Sequence, residues 1–110
     1  MKTTINDYEF AHNEQLTEYV IPDGVTRIGW CAFEGCTNLQ SVTIPDSVKE
    51  IGDYAFEGCT SLTSVTIPNG VKKIGGYAFW GCTSLKSVTI PRGCRYYKDT
   101  FSDKTNVIVR

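Results

Sequence analysis

The sequence has no run approaching the ~20 consecutive apolar residues that a membrane-spanning helix needs. Its first residues, Met1-Lys2-Thr3-Thr4-Ile5-Asn6-Asp7, form no 7–15-residue apolar segment and no small-residue cleavage site. As it stands the chain therefore reads as a protein of the cell interior, or as a piece of a longer secreted or cell-surface protein. There is no N-x-S/T sequon and no C-x-x-C pair, and there is one histidine, His12. Zinc sites draw on cysteine and histidine pairs at short spacing, so no metal or other cofactor is expected. Neither a G-x-S-x-G elbow nor a phosphate-binding loop occurs, and the carboxylates are spread along the chain, as on a solvated face. No catalytic residue is assigned and no enzyme activity is expected.

Net charge is only −1, but it is unevenly placed. Residues 1–55 carry three Lys/Arg against nine Asp/Glu, and residues 56–110 carry eight against three. Opposite ends of opposite charge point to an interaction surface, or to head-to-tail self-association. The basic half (Lys72, Lys73, Arg92, Arg95, Lys98) comes with no groove-reading motif, so nucleic acid is not an expected partner.

What the sequence has in abundance is repetition, at a period of 23 residues. Pro22, Pro45, Pro68 and Pro91 share it, as do Phe10, Phe33, Phe56 and Phe79, and Leu16, Leu39, Leu62 and Leu85. Two isoleucine columns run in phase: Ile5, Ile28, Ile51, Ile74 and Ile21, Ile44, Ile67, Ile90. In Leu39-Gln40-Ser41-Val42-Thr43-Ile44, apolar and hydroxyl residues alternate as in a half-buried strand, and Pro45 ends it. The return arm spaces Val48, Ile51, Ala55 and Phe56 as a turn or so of helix would, closed by Gly58. One unit cannot bury its own apolar face, but stacked units can. The expected fold is therefore an α/β leucine-rich-repeat solenoid. A parallel sheet forms its concave face, short helical or 3₁₀ turns its convex face, and Phe33, Phe56 and Phe79 an internal spine.

The chain divides into one domain: an N-terminal capping repeat at 1–22, full repeats at 23–45, 46–68 and 69–91, and a C-terminal capping segment at 92–110. Two distinct caps predict a unit that folds alone. The last segment is one residue short between Pro91 and Phe101, places Tyr96-Tyr97 opposite Lys73-Ile74, and ends on a strand at Val107-Ile108-Val109.

The motif from Val48 to Leu62, Val-Lys-Glu-Ile-Gly-Asp-Tyr-Ala-Phe-Glu-Gly-Cys-Thr-Ser-Leu, and its copy from Val71 to Leu85 closely resemble the BspA-like leucine-rich repeats of bacterial surface proteins. The likeness covers nearly all of residues 5–107. It departs from the general leucine-rich pattern where asparagine is usual, with Gly24, Ser47, Gly70 and Gly93. The resemblance implies a non-enzymatic protein of adhesive function that contacts host or matrix proteins. Members of that family usually carry more repeats and an export signal.

Cys36, Cys59 and Cys82 share one column and Cys94 continues a valine column, so all four read as core. Cys31 replaces the tyrosine of Tyr8, Tyr54 and Tyr77, and is the thiol expected to be partly exposed. A partner, protein or glycan, is expected to meet the outward strand positions Gln40, Ser41, Thr43, Thr63, Ser64, Thr66, Lys86, Ser87 and Thr89, together with Arg92. Trp30 and Trp80 form the other candidate surface, because tryptophan there stands where sibling repeats hold charged or small residues. Three functions fit these features: an interaction or adhesion module, a small intracellular inhibitor or adaptor of host or phage origin, and a self-assembling solenoid.

Overall fold

The computed structural model describes residues 1–110. Nine short strands follow in order: β1 (Thr4–Ile5), β2 (Glu18–Val20), β3 (Arg27–Ile28), β4 (Ser41–Thr43), β5 (Glu50–Ile51), β6 (Ser64–Val65), β7 (Lys73–Ile74), β8 (Ser87–Ile90) and β9 (Asn106–Val109). All pair in parallel, each with its counterpart one turn of the chain away. One sheet runs β1-β3-β5-β7, a second runs β2-β4-β6, and β8 pairs with β9. From β1 to β7 the register is the 23-residue period itself: Tyr19 faces Val42, Val42 faces Val65, and Ile28 faces Ile51, whereas β8 and β9 are 19 residues out, Val88 facing Val107. The chain is a β-solenoid of leucine-rich-repeat type.

The alternation in the Leu-x-x-Val-x-Ile strands does what its period requires. Leu39, Val42 and Ile44 are buried, while Gln40 and Thr43 are exposed. Each strand stops at its proline, and the proline carbonyl then accepts the N–H three residues on: Val25 to Pro22, Val48 to Pro45, Val71 to Pro68, Cys94 to Pro91. Gly24 adopts φ +94° at the third position of this turn, which suits a turn of type II.

The expected helical or 3₁₀ turns are absent, and the return arm is built differently. Its first part, Arg27–Ile28 and its equivalents, forms the four-stranded sheet. The rest is a run of tight turns whose amide groups alternate in destination. Phe33, Gly35 and Cys31 donate forward to Ala55, Glu57 and Asp53 of the next repeat, while Ala32, Glu34 and Cys36 donate back three residues within their own. A helix would need every amide to point along its own axis. Here Tyr8, Cys31, Tyr54 and Tyr77 sit at φ between 56° and 61°, which breaks any helical run at the same place in each unit. The Ile-Gly pair before the turns has a steric reason. A Cβ on Gly52 would stand 2.9 Å from the Gly29 carbonyl carbon of the preceding repeat.

The core is a single stack. Phe10, Phe33, Phe56, Phe79 and Phe101 form a continuous spine, with Phe33–Phe56 centroids 4.9 Å apart and nearly parallel rings. Tyr19 tilts against Phe10 at one end, and Tyr96 meets Phe101 edge-on at the other. The expected Tyr96-Tyr97 pairing is shifted by one. Arg95, not Tyr96, bridges to Lys73. That leaves Tyr96 in the isoleucine column, above the spine. The Val107–Val109 strand forms as expected and pairs with β8.

The outward hydroxyl face is not one uninterrupted sheet, since β6 lies beside β8 without a ladder between them. Arg110 straps that junction. Its guanidinium donates to the Ile67 and Thr89 carbonyls, and its Nε to Asn69 Oδ1 at 2.9 Å. No helix of the chain is long and apolar enough to cross a membrane.

Candidate functional site

The strand-face residues lie where the alternation puts them. Gln40, Thr43, Thr63, Thr66, Lys86 and Arg92 are exposed, and Ser41 and Thr89 are half-buried. Little organises them further. Thr63 Oγ1 makes a long contact to the Gln40 carbonyl at 3.4 Å, and Lys86 Nζ another to Thr83 O at 3.5 Å. The surface is polar, flat and made of small side chains.

The two tryptophans separate. Trp80 is half-buried and packs edge-on against Tyr77, with centroids 5.8 Å apart. Trp30 stands out at 53% exposure. Its N–H is fixed by Asp7 Oδ1 at 2.8 Å, and the Arg27 guanidinium lies over its ring at 5.9 Å. Arg27 also reaches Asp7 at 3.5 Å, so one ion pair holds both the backbone and the ring face of Trp30.

Trp30 is not alone. The positive-φ corner that breaks each return arm carries an exposed tyrosine in three of four repeats and the buried Cys31 in the other. Tyr8, Tyr54 and Tyr77 are exposed by 61%, 41% and 36%, and Tyr97 extends the row at 45%. Tyr54 and Tyr77 stack on each other with centroids 5.1 Å apart and planes 8° from parallel. Lys73 Nζ lies 6.0 Å above the Tyr97 ring. Asp99, beside Tyr77, raises that phenol above the ordinary tyrosine range. The row runs along the arm opposite to the strand-face hydroxyls within each turn of the chain, so the two candidate surfaces are separate.

Two hollows open in this row. One, of about 240 Å³, is lined by Tyr8, Trp30, Cys31, Asp53 and Tyr54. The other, of about 340 Å³, is lined by Asp53, Tyr54, Lys73, Gly76, Tyr77 and Tyr97. Each arises where one repeat departs from its siblings. Cys31 removes a tyrosine from its column, and Gly76 removes the side chain that Asp7, Trp30 and Asp53 supply in theirs. Sequence reading singled out Trp30 but passed over the tyrosines, because a residue recurring at the period looks like a packing column. The signal that would have exposed them is their polar hydroxyl, which a buried packing column would have to satisfy.

The thiols are partly where they were expected. Cys36, Cys59 and Cys82 are fully buried, and all five cysteines are free. Cys31, expected to be partly exposed, is buried beneath the aromatic row, and Cys94, expected in the core, is the more open of the two. On a further flank His12 Nε2 lies 3.7 Å from Glu34, and burial together with the Glu34 charge raises the carboxyl of Glu57. No group of three or more potential metal-binding side chains comes together.

A family model described as "BspA type Leucine rich repeat region (6 copies)" matches residues 3–108. Among solved structures, a leucine-rich repeat protein from Bacteroides ovatus ATCC 8483 is 38% identical over 99% of this chain, with a TM-score of 0.93. The T. pallidum leucine rich repeat protein is 30% identical over 91%, with a TM-score of 0.83. A leucine rich cell surface protein from Faecalibacterium prausnitzii A2-165 is 40% identical over 77%, with a TM-score of 0.74. The chain spans 28%, 45% and 22% of the lengths of those three proteins, respectively. No curated protein matches it.

Proposed function

The chain belongs to the BspA-type leucine-rich repeat family, and from that premise we propose that it is a non-catalytic interaction module whose contact surface is the exposed aromatic row. The observation that carries this reading is Trp30. Its large apolar ring is held out in solvent by an ion pair, where a packing role would have laid it flat. Buried aromatic anchors supply most of the energy at protein interfaces, and rigid presentation lowers the ordering cost of binding. The strand face offers neither feature. Gln40, Ser41, Thr43, Thr63, Thr66, Lys86, Thr89 and Arg92 form at most a second, polar surface. The partner class is protein. One of the three similar structures is of a cell-surface protein, which favours an adhesive role over an intracellular inhibitor.

Affinity capture from the native source, with cross-linking and mass spectrometry, tests the assignment. Trp30→Ala should reduce retention of the captured partner by about 2 kcal/mol or more, with an unchanged melting temperature. If that variant retains the partner in full while Lys86→Glu with Arg92→Glu releases it, the contact surface is the strand face.

A second reading is supported by the edge strands. β2 and β9 are outermost strands, and Val20, Ile108 and Val109 on them are exposed. With an acidic half at one end and a basic half at the other, copies would stack end to end. Light scattering tests this, since such association should weaken as salt is raised.

A further inference from the structure

We propose that the aromatic row is a groove for a proline-rich segment in the polyproline II conformation, with Tyr54 as the ridge between two binding slots. This rests on the reading of that row as the interaction face.

Three features of the row select the ligand. The first is the orientation of the rings. Tyr54 and Tyr77 are separated by 5.1 Å, close to the ~4.8 Å between neighbouring strands, and their planes are nearly parallel. They are therefore rungs set across the solenoid axis. Each covers one face of the other, and both stay partly exposed. A sugar ring needs an open aromatic face to lie on. The hollows beside these rungs, at Cys31 and Gly76, accept instead a ligand that pushes compact apolar rings into them.

The second feature is spacing. The two hollows flank Tyr54 and share Asp53 and Tyr54 in their walls. Polyproline II repeats every three residues at ~3.1 Å each, so residues i and i+3 on one side are ~9.3 Å apart. Two strand spacings of the solenoid amount to ~9.6 Å. Prolines three apart would thus fall into successive slots, and a segment of about six residues would cover the row from Tyr8 to Tyr97.

The third feature is polarity. A polyproline II backbone has no internal hydrogen bonds, so its carbonyls seek donors. The tyrosines and Trp30 that line the slots are exposed and carry O–H and N–H donors. Asp53 and Lys73 line the larger hollow with opposite charges, so the row carries no strong field of one sign and suits uncharged prolines.

Gly76 provides the decisive variant. A Cβ built there meets nothing within 4 Å, so a side chain can be added without disturbing the fold. Gly76→Trp would fill the larger slot with a residue the same column already carries at Trp30. The experiment titrates the full chain with an oligoproline of about ten residues, followed by tryptophan fluorescence and by amide chemical shifts. A Gly-Ser peptide of equal length and a neutral oligosaccharide serve as comparison ligands. Oligoproline should bind and shift the amides of Asp53, Gly76 and Tyr97. Gly76→Trp and Tyr54→Ala should each weaken it by about tenfold or more, with melting temperatures unchanged for Gly76→Trp. Binding of the oligosaccharide in place of oligoproline overturns the proposal, as does oligoproline binding that Gly76→Trp leaves intact. If the chain captures a partner in a Trp30-dependent manner yet ignores oligoproline, the polyproline assignment falls and the interaction module stands.

Discussion

The thiol of Cys59 donates to the backbone carbonyl of Phe33, one repeat earlier, at 3.2 Å. Cys36 does the same to Phe10 and Cys82 to Phe56. Each of these carbonyls also accepts the N–H three residues on, so the thiol supplies its second partner inside the stack. Cysteine in this column is thus more than a small hydrophobe. It fills the space beside the phenylalanine spine and ties consecutive turns of the chain together.

Cys59→Ala should therefore cost about 1–2 kcal/mol, from one lost hydrogen bond and a small void. Urea denaturation of the variant measures it. A cost indistinguishable from zero would show the thiol to be filler.

Native-state labelling with a thiol reagent should follow burial. Cys94 should react first and Cys31 later, with Cys36, Cys59 and Cys82 protected until the chain unfolds. Mass spectrometry of quenched samples gives the order. Early labelling of Cys59 would contradict the buried column.

Phe56 lies fully buried between Phe33 and Phe79, stacked on both. Phe56→Ala should cost about 3–5 kcal/mol. A loss below ~1 kcal/mol in chemical denaturation would mean that the spine does not hold the stack.

Burial raises the Cys36 and Cys94 thiols, and the neighbouring Cys82 thiol together with burial raises that of Cys59. In the unfolded chain these groups ionise near pH 8.5. Above that value the unfolded state holds fewer protons than the folded one. Stability is therefore fully present below about pH 8.5 and falls as pH rises further, by up to about 1.4 kcal/mol per pH unit for a fully buried thiol. Denaturant midpoints measured from neutral to alkaline pH should decline, and Cys59→Ala should decline less steeply.

Glu57 gives the opposite sense to the usual carboxylate. Burial and Glu34 raise its carboxyl, so the folded state holds the proton to higher pH than the unfolded state does. Its contribution is favourable in acid and is lost as pH rises above the ordinary carboxylate range. Glu57→Gln should stabilise the protein near neutral pH relative to the parent and bring the two curves together in acid. A gain that does not change with pH would rule out titration as its cause.

The strand arm was legible in the sequence because one face is buried. Val42 and Ile44 must alternate with Ser41 and Thr43, and a proline must end the strand. The spine was legible because Phe33, Phe56 and Phe79 repeat in phase. The return arm was not. Val48, Ile51, Ala55 and Phe56 have a spacing that a helix and a chain of tight turns satisfy equally. What decides is the forward hydrogen bond from Phe33 to Ala55, a link between repeats that no single unit reveals. The site was half legible. Trp30 announced itself by breaking a column, but Tyr54 and Tyr77 kept theirs and were read as regular. Gly76 shapes the site by a side chain it lacks.

The register of one turn on the next makes copy number, rather than chain length, the natural unit of change. Excising residues 46–68 as a block would join Pro45 to Asn69, with every column still in phase. Phe33 would then stack on Phe79, and the Cys82 thiol would meet the carbonyl of Phe33. Removing a single residue from the same stretch would throw each later strand onto the wrong face. The chain departs from the period only after Pro91, where one residue is omitted before Phe101 and three more before Val107. The same excision would bring Trp30 beside Gly76, so a solenoid one turn shorter would carry a differently spaced set of slots. Gain or loss of whole turns would let such a protein alter what it grips without altering how it folds.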